Sequence, residues 1–441
     1  MRDLHAWRRT RELSAAVRRR VHVRRWTVLA AFFVLLALVL DADTVRRTPT
    51  EEAVFRDRFG LVEWMGLNLL DGAQDALFDL LPGGVPFESE RRAAVERYFE
   101  LGDRARRIEG SLRLAVAQEG AAANPLAADL QAELDRLRRE RDSLADIVEW
   151  TIGSAVSDVL REEGLERSWG PLRPLFPPVS FKITRVPRLI VVSPRERIAN
   201  VESRLLEADI TPLRMEQLEA AAGPELDRSA VVTRIGGVAT YPALVSDSQS
   251  FRSAVHTIAH EWLHHYWFFH PLGQAYYDSP EMASLNETAA DLAGRELGDL
   301  ALLALGEAPP PPPSPPAEPP GAPPPEPPEF DFGAEMRETR LRTDELLEEG
   351  KVDEAEAYME ERRQRFVEHG YAIRVLNQAY FAFHGAYAES PASSSPIGAQ
   401  VRRFRAHTDS VGDFVLRIRE FSTYQQFLDH LETLPPEDGA P

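Results

Sequence analysis

Apolar positions along the chain separate helical stretches from extended ones. Steps of three and four residues predict helices over 90–118, 126–163 and 253–270, from Ser279 or Pro280 to about Leu305, and over 341–349, 352–369 and 371–388. Runs rich in β-branched residues predict strands over 179–184, 188–192, 230–235 and 238–245, with a helix over 197–222 interrupted near Pro212. We therefore expect an α+β fold that is mainly helical, with a small, largely antiparallel sheet packed on helix 253–270 and a helical C-terminal subdomain.

The N-terminal pattern differs from the rest of the chain. Residues 1–25 carry nine arginines, and an apolar run follows over 26–41. A basic arm before an apolar run predicts a cytoplasmic arm, a transmembrane signal anchor and a single-pass membrane protein whose remaining chain lies outside the cytoplasm. The apolar core of the run spans only roughly 22 Å, so the alternative is a cleaved signal peptide and a secreted protein.

Composition divides the remainder. We predict a helical stalk or hairpin over 45–175, a core domain over 178–307, a Pro-rich insertion over 308–329 that lacks a packed structure, and a helical subdomain over 330–436. A net charge of −19 argues against nucleic acid as a partner, and the absence of cysteine excludes disulfides and thiolate ligands.

Helix 253–270 contains the segment His260-Glu261-Trp262-Leu263-His264, which has the pattern H-E-x-x-H. Two histidines one helical turn apart lie on one face and can hold one Zn²⁺ through one ring nitrogen each. Glu261 directly follows the first ligand, and its carboxylate is placed to take a proton from zinc-bound water.

A second segment, Asn286 to Asp291, follows some two dozen residues later. A catalytic two-histidine site needs a third protein ligand, and Glu287 is the natural candidate. Asp291 lies one turn further along the same predicted helix, where it can accept a hydrogen bond from a ligand histidine. Together the two segments resemble the gluzincin metallopeptidases, the thermolysin-like group, with N-E-x-x-x-D as their second motif and Asn286 beside the ligand.

The resemblance implies a peptidase with one Zn²⁺ per chain on His260, His264 and Glu287, with Glu261 as general base, acting on a peptide or protein substrate. In gluzincins an edge strand before the zinc helix pairs with the substrate backbone. That role would fall here to the stretch from Gly237 to Ala243, whose alternative is a plain hairpin, and we name its first four residues as the substrate strand: Gly237, Val238, Ala239 and Thr240.

The resemblance also implies an oxyanion-stabilising Tyr or His from the C-terminal helices. Tyr380, His384 and Tyr387 share one face of the predicted helix 371–388, and an aromatic core stripe is the alternative. The G-x-M-E-N motif of gluzincin aminopeptidases is absent from the sequence. The rival functions are a membrane-anchored scaffold with a structural zinc site, which has no need of Glu261, and an intramembrane protease, which the polar surroundings of the histidines disfavour.

Overall fold

Two small sheets and a set of helices form the protein in a computed structural model, which describes residues 48–68, 88–119, 125–167, 174–307, 330–387 and 390–435. The chain divides into two units, residues 1–52 and 53–441, and only residues 48–52 of the first are described. The helices are α1 Pro49–Val54, α2 Glu88–Glu119, α3 Pro125–Asp142, α4 Ala145–Glu162, α5 Pro212–Ala222, α6 Phe251–Trp267, α7 Pro271–Gln274, α8 Pro280–Ala304, α9 Phe332–Glu348, α10 Val352–Glu368, α11 Gln378–His384, α12 Ile397–Ala406, α13 Val411–Ile418 and α14 Tyr424–Thr433. The strands are β1 Phe181–Thr184, β2 Arg188–Pro194, β3 Glu202–Leu206, β4 Arg228–Arg234, β5 Gly237–Val238 and β6 Ala243–Ser246.

The strands form two three-stranded sheets, with orders β1-β6-β5 and β3-β2-β4. Only the β1–β6 pair is parallel, and the other pairs are antiparallel. The predicted α+β class, mainly helical with small and largely antiparallel sheets, is confirmed. The predicted contact of a sheet with the metal-binding helix is also present, because Ala243 and Val245 of β6 share one apolar core with Val255 and Ile258 of α6.

The main apolar core surrounds helix α6. Buried residues of α2, α4, α8 and the last three helices pack with it in a single cluster. Helices α2 and α4 therefore pack onto the core that holds the metal-binding helix. A second cluster lies between one face of sheet β3-β2-β4 and helix α5, and a third lies between the opposite face and Ala379 of α11.

Residues 197–211 form no helix, which corrects the prediction for 197–222. Strand β3 occupies Glu202–Leu206 and pairs antiparallel with β2 at the edge of its sheet. The helix begins only at Pro212, where the hydroxyl of Thr211 accepts a hydrogen bond from the backbone N–H of Arg214. Only Leu206 of β3 is buried, so the strand lacks the alternation of apolar and polar residues that marks a strand in the sequence. Its outer edge carries an isolated antiparallel bridge between Leu206 and Arg58.

The stretch 238–245 is two strands and not one. Strand β5 ends at Val238, and the backbone N–H of Thr240 donates to the carbonyl of Val238, 2.7 Å away, which closes a tight turn. The chain then returns as β6, with Gly237 opposite Val245. Of the predicted substrate strand, Gly237 and Val238 are extended, whereas Ala239 and Thr240 belong to the turn.

Two predicted helices are shorter than expected. The single helix over 126–163 is divided into α3 and α4 at Ser143 and Leu144. Of the predicted helix 371–388, only Gln378–His384 is helical. The preceding residues are extended because Asn377 donates to the carbonyl of Ala230, while its side chain also caps α11.

The single-pass localisation is contradicted. Among the described segments, no helix is both long and apolar enough to cross a membrane. Helix α2 has 32 residues, but charged side chains recur along it, and each would be costly in a hydrocarbon core. The predicted arm 1–25, the predicted span 26–41 and the Pro-rich segment 308–329 lie outside the described residues.

Candidate metal centre

Helix α6 carries the first half of the site. It begins after Ser250, whose hydroxyl accepts a hydrogen bond from the backbone N–H of Ser253 and so caps the first turn. Its apolar residues are buried, and they recur at the three- and four-residue steps that the sequence predicted. The four-residue spacing brings the Nε2 atoms of His260 and His264 to 3.0 Å from each other.

Helix α8 carries the second half and lies very close to α6. It begins at Pro280, within the predicted start at Ser279 or Pro280, and the side chain of Ser279 caps it. Small residues line the face against α6. A Cβ atom added at Gly294 would lie 3.0 Å from the backbone N, Cα and Cβ of His260, and one at Gly298 would lie 3.0 Å from Cα of His256. Any larger residue would hold the two helices apart, so these glycines set the separation of the two halves of the site.

Glu287 of α8 points at the two histidines. Its Oε2 atom lies 3.5 Å from Nε2 of His260 and 3.6 Å from Nε2 of His264. Four donors about 2.0–2.1 Å from a tetrahedral zinc ion lie roughly 3.3 Å apart. The separations in this triad match that value, so His260, His264 and Glu287 form a group that can hold a metal ion.

The protonation of Glu287 suits a metal ligand. Its side chain is only 14% exposed, and burial alone would raise the pKa of its carboxyl group. The attraction of His264 and hydrogen bonds to both histidines outweigh burial and hold the pKa well below its usual value. Glu287 is therefore an anionic carboxylate, the form that binds a cation.

Glu261 lies on the other side of His260 and is almost fully buried, with 6% of its surface exposed. Burial raises the pKa of Glu261 to about 8, against the attraction of His264, and repulsion by Glu287 adds to the rise. Its carboxylate rests against Gly237 of β5, so closely that a Cβ atom at Gly237 would collide with it. The carboxylate fits beside the strand because residue 237 has no side chain.

Tyr276 also belongs to the site, although no motif or periodic pattern predicts a role for it. Its hydroxyl donates a hydrogen bond of 2.7 Å to Oε1 of Glu287, the oxygen that does not face the histidines. Burial raises the pKa of Tyr276, and the charge of Glu287 adds to the effect, so the phenol keeps its proton. Tyr276 lies in the connection between α7 and α8, where no periodic pattern marks it.

Of the three C-terminal candidates, the structure brings Tyr387 to the site. Its ring centroid is 6.5 Å from that of His260, and the negative charge of Glu287, followed by burial, raises its pKa well above the usual value. The rings of Tyr380 and His384 contact each other instead, with centroids 4.2 Å apart. Burial lowers the pKa of His384 to about 4, so this histidine is neutral at physiological pH.

The two neighbours of Glu287 in the second motif have other contacts. Asp291 accepts a hydrogen bond of 2.6 Å from Arg295, and within the described residues no bond joins Asp291 to either histidine. One helical turn separates Asp291 from Arg295, so the carboxylate is drawn along α8 instead of across to α6. The amide of Asn286 donates to the carbonyl of Leu272 and ties α8 to α7.

His265 fastens the turn after β5 to helix α6. Its Nε2 atom lies 2.7 Å from the carbonyl oxygen of Thr240, and because a carbonyl only accepts, Nε2 carries the proton. Burial lowers the pKa of His265 to about 4 and keeps the ring neutral. No role was predicted for His265, because no pattern in the sequence connects it with Thr240.

A cleft of about 390 Å³ opens onto the site. Its walls include Gly236 and Gly237, His260 and Glu261 of α6, and Tyr387. Strand β5 is the outer strand of its sheet, so its second edge is not paired with another strand. The cleft thus brings together His260, which is one of the three candidate metal donors, the buried carboxyl group of Glu261 and a strand edge.

The chain was compared with protein-family models, with curated proteins and with solved structures, and no match was found in any of the three. Its function therefore has to be argued from the site itself.

Proposed function

We propose that the protein is a zinc-dependent peptidase. One observation carries the proposal: the donors of His260, His264 and Glu287 are gathered together, and the cleft that His260 lines also contains the buried carboxyl group of Glu261 and a strand edge. The arrangement supports the likeness to the gluzincins that the two sequence motifs suggest. Hydrolysis of an amide by such a site needs a Lewis acid, a base and a means of holding the peptide.

The donor set favours zinc over calcium and magnesium. Two imidazoles and one carboxylate are the ligands of many catalytic zinc sites, whereas calcium and magnesium prefer oxygen ligands only. When bound, zinc would polarise the scissile carbonyl group and acidify the attacking water. Within the described residues the group has three donors, which leaves a tetrahedral ion one position for substrate or water.

Glu261 acts as the base in this proposal. It accepts the proton of the attacking water and passes it to the leaving nitrogen. Burial makes its carboxyl group a stronger base than an exposed glutamate, and the cation beside it keeps enough of it ionised to react. The protonated phenol of Tyr387 donates a hydrogen bond to the oxygen that becomes negative as the carbonyl carbon turns tetrahedral.

The free edge of β5 holds the substrate. An extended peptide that pairs with Gly237 and Val238 would pass directly over Glu261, because the carboxylate touches Gly237. Backbone pairing accepts many sequences, so it suits a peptidase whose specificity comes from side chains elsewhere in the cleft. Helix α6 supports this edge through the bond from His265 to Thr240.

A structural metal site in a non-catalytic scaffold is the rival function. Such a site normally has four protein ligands and no free position. It also has no use for Glu261, a buried carboxyl group that is not one of the three donors and whose burial costs stability. Both features favour the enzyme.

The experiment that separates the two is turnover at matched zinc occupancy. In the full chain, Glu261→Gln preserves the size of the side chain and all three donors, so zinc should stay bound. Hydrolysis of a peptide library, read by mass spectrometry, should fall by roughly 10²–10⁴-fold, the usual contribution of a general base. Glu281→Gln, at an exposed position in the first turn of α8, is the matched control.

Metal analysis checks the first half of the proposal. The parent should bind one zinc per chain, and His260→Ala should abolish that binding, because two donors remain. Equal turnover by the parent and Glu261→Gln, with equal zinc content, would show that Glu261 is not the base.

A further inference from the structure

Among the described residues that line the cleft, most of the basic side chains have an acidic partner. Arg295 is held by Asp291 at 2.6 Å, and the ring of His256 contacts Asp299 at 2.9 Å. Arg234, at the end of β4, lines the same cleft, and within the described part of the chain no acidic side chain forms an ion pair with it. Arg234 therefore gives the cleft a positive charge without a counter-charge from the protein.

A second arginine strengthens this charge. Arg188 of β2 is the direct cross-strand partner of Arg234, and no ion pair to an acid is recorded for it either among the described residues. Burial lowers the pKa of Arg188, and the nearby charges of Arg234 and Arg374 lower it further. Like charges placed opposite each other on a sheet are destabilising, so this pair costs the fold some stability.

The nearest acids are occupied by other arginines. Asp209, the one acid that acts favourably on Arg188, has both carboxylate oxygens 2.8 Å from a nitrogen of Arg185. Glu219 is bound by Arg374 through two hydrogen bonds. In a chain with a net charge of −19, this end of the sheet stays positive, which is the condition for attracting an anion from solution.

The position of Arg234 relates the charge to the reaction centre. Arg234 precedes Gly237 by three residues, so the two Cα atoms are at most about 11 Å apart. Gly237 in turn touches Glu261, which marks where the scissile bond would lie. A peptide paired with β5 would thus bring to Arg234 a residue about three positions or fewer from the scissile bond.

We propose that the cleft selects peptides with a carboxylate within about three residues of the scissile bond, which Arg234 binds with Arg188 as a supporting charge. This inference rests on the proposed peptidase function. The carboxylate is that of an aspartate or glutamate side chain, or the C-terminal carboxylate of a short peptide. Both kinds of carboxylate present the same planar pair of oxygens, and a guanidinium group can bind the two oxygens in a bidentate manner.

The first test is a scan of quenched fluorescent peptides in which one glutamate moves through the positions around the cleaved bond. Each peptide has a glutamine counterpart, and each is made with a free and with an amidated C-terminus. The parent should show a kcat/KM ratio of glutamate to glutamine peptides of roughly threefold to tenfold at one position. A preference for glutamate over glutamine assigns the site to a side-chain carboxylate, and a preference for the free over the amidated C-terminus assigns it to the terminal carboxylate.

Variants tie the preference to Arg234. Arg234→Gln should bring the glutamate-to-glutamine ratio of kcat/KM to about one. Arg234→Glu should instead favour peptides with lysine at the same position. Arg337→Gln is the matched control, because it removes an exposed arginine of α9 that does not line the cleft, and it should keep the parental ratio. A parental ratio in Arg234→Gln would overturn the inference.

Binding separates this inference from the proposed function. The zinc-loaded Glu261→Gln variant should bind a labelled glutamate peptide roughly threefold to tenfold more tightly than its glutamine counterpart in fluorescence anisotropy. Adding Arg234→Gln should remove the difference. If the parent cleaves no peptide but this difference appears, the peptidase proposal fails and the carboxylate site stands. Equal binding of the glutamate and glutamine peptides, together with equal binding of peptides with free and amidated C-termini, refutes the carboxylate site, whether or not cleavage occurs.

Discussion

Replacing Gly294 by alanine tests whether the close contact of α6 and α8 holds the metal site together. The new Cβ would lie 3.0 Å from three atoms of His260, two of which belong to the backbone. An ordinary contact between carbon atoms is about 3.5–4.0 Å, so the helices must separate by roughly half an ångström. The separation would therefore lengthen the distance between the donors of His260 on α6 and Glu287 on α8.

Two opposing effects determine the stability of the variant. Alanine favours a helix interior by about 1 kcal/mol over glycine. Overpacking a well-packed interface costs typically about 1–3 kcal/mol, and backbone neighbours cannot rotate away. We expect Gly294→Ala to be less stable than the parent by up to about 2 kcal/mol. The metal affinity should fall by about tenfold, because the donors of a metal site must be held within about 0.5 Å.

Gly110→Ala provides the matched control. Gly110 lies in helix α2 and would have no atom within 4 Å of its new Cβ, so only the helix preference remains. This variant should be more stable than the parent by about 0.5–1 kcal/mol. Urea unfolding and zinc titration of both variants give the comparison. Equal stability of Gly294→Ala and Gly110→Ala, with parental zinc affinity in both, would refute the role assigned to the helix contact.

Three further predictions concern single side chains. Tyr276→Phe removes the hydrogen bond to Oε1 of Glu287 and should lower zinc affinity by about 10–100-fold in a competition titration with a chelator. Gly237→Ala places a methyl group against the mobile end of Glu261, so peptide hydrolysis should drop while folding and zinc content stay unchanged. Burial raises the pKa of Glu149 from 4.5 to about 7, so the native protein keeps a proton that the unfolded chain releases. The free energy of unfolding should therefore fall as pH rises from about 4.5 to 7, by at most about 3 kcal/mol, and Glu149→Gln should lack this part of the fall in urea titrations.

Each of these predictions has its own contrary result. A loss of zinc affinity in Tyr277→Phe equal to that in Tyr276→Phe would show a general effect, since Tyr277 is 93% exposed. Parental turnover in Gly237→Ala would mean that Glu261 works in a position away from the strand. An identical pH dependence of unfolding in Glu149→Gln and the parent would exclude Glu149 as the source of the slope.

Local sequence signals were sufficient for the two helices that carry the metal-binding residues. The periodic apolar residues of α6 and the capping residues Ser250 and Ser279 act within one or two turns of the chain, so the sequence contains them in full. The gathering of His260, His264 and Glu287 also agrees with the prediction from the two motifs.

Contacts between distant segments were not predictable in the same way. Tyr276 reaches Glu287 and His265 reaches Thr240 only because loops fold back onto the helices. The expected helix over 371–388 begins only at Gln378, since the side chain of Asn377 before it is bound to the neighbouring sheet. The sequence contained the residues of these contacts but no periodic signal for the contacts themselves.

Helix α6 presents different side chains to different neighbours, so the metal donors are positioned independently of Tyr387. His260 faces Glu287 of α8, Glu261 faces β5, and His265 binds the turn after β5. One helix therefore positions all three of these parts. Tyr387 arrives instead from the C-terminal helical part of the chain. A displacement of that part would withdraw Tyr387 and widen the cleft while the donor distances stay unchanged. Under the proposed peptidase function, substrate exchange would then require no release of the ion, so one bound ion would serve many reaction cycles.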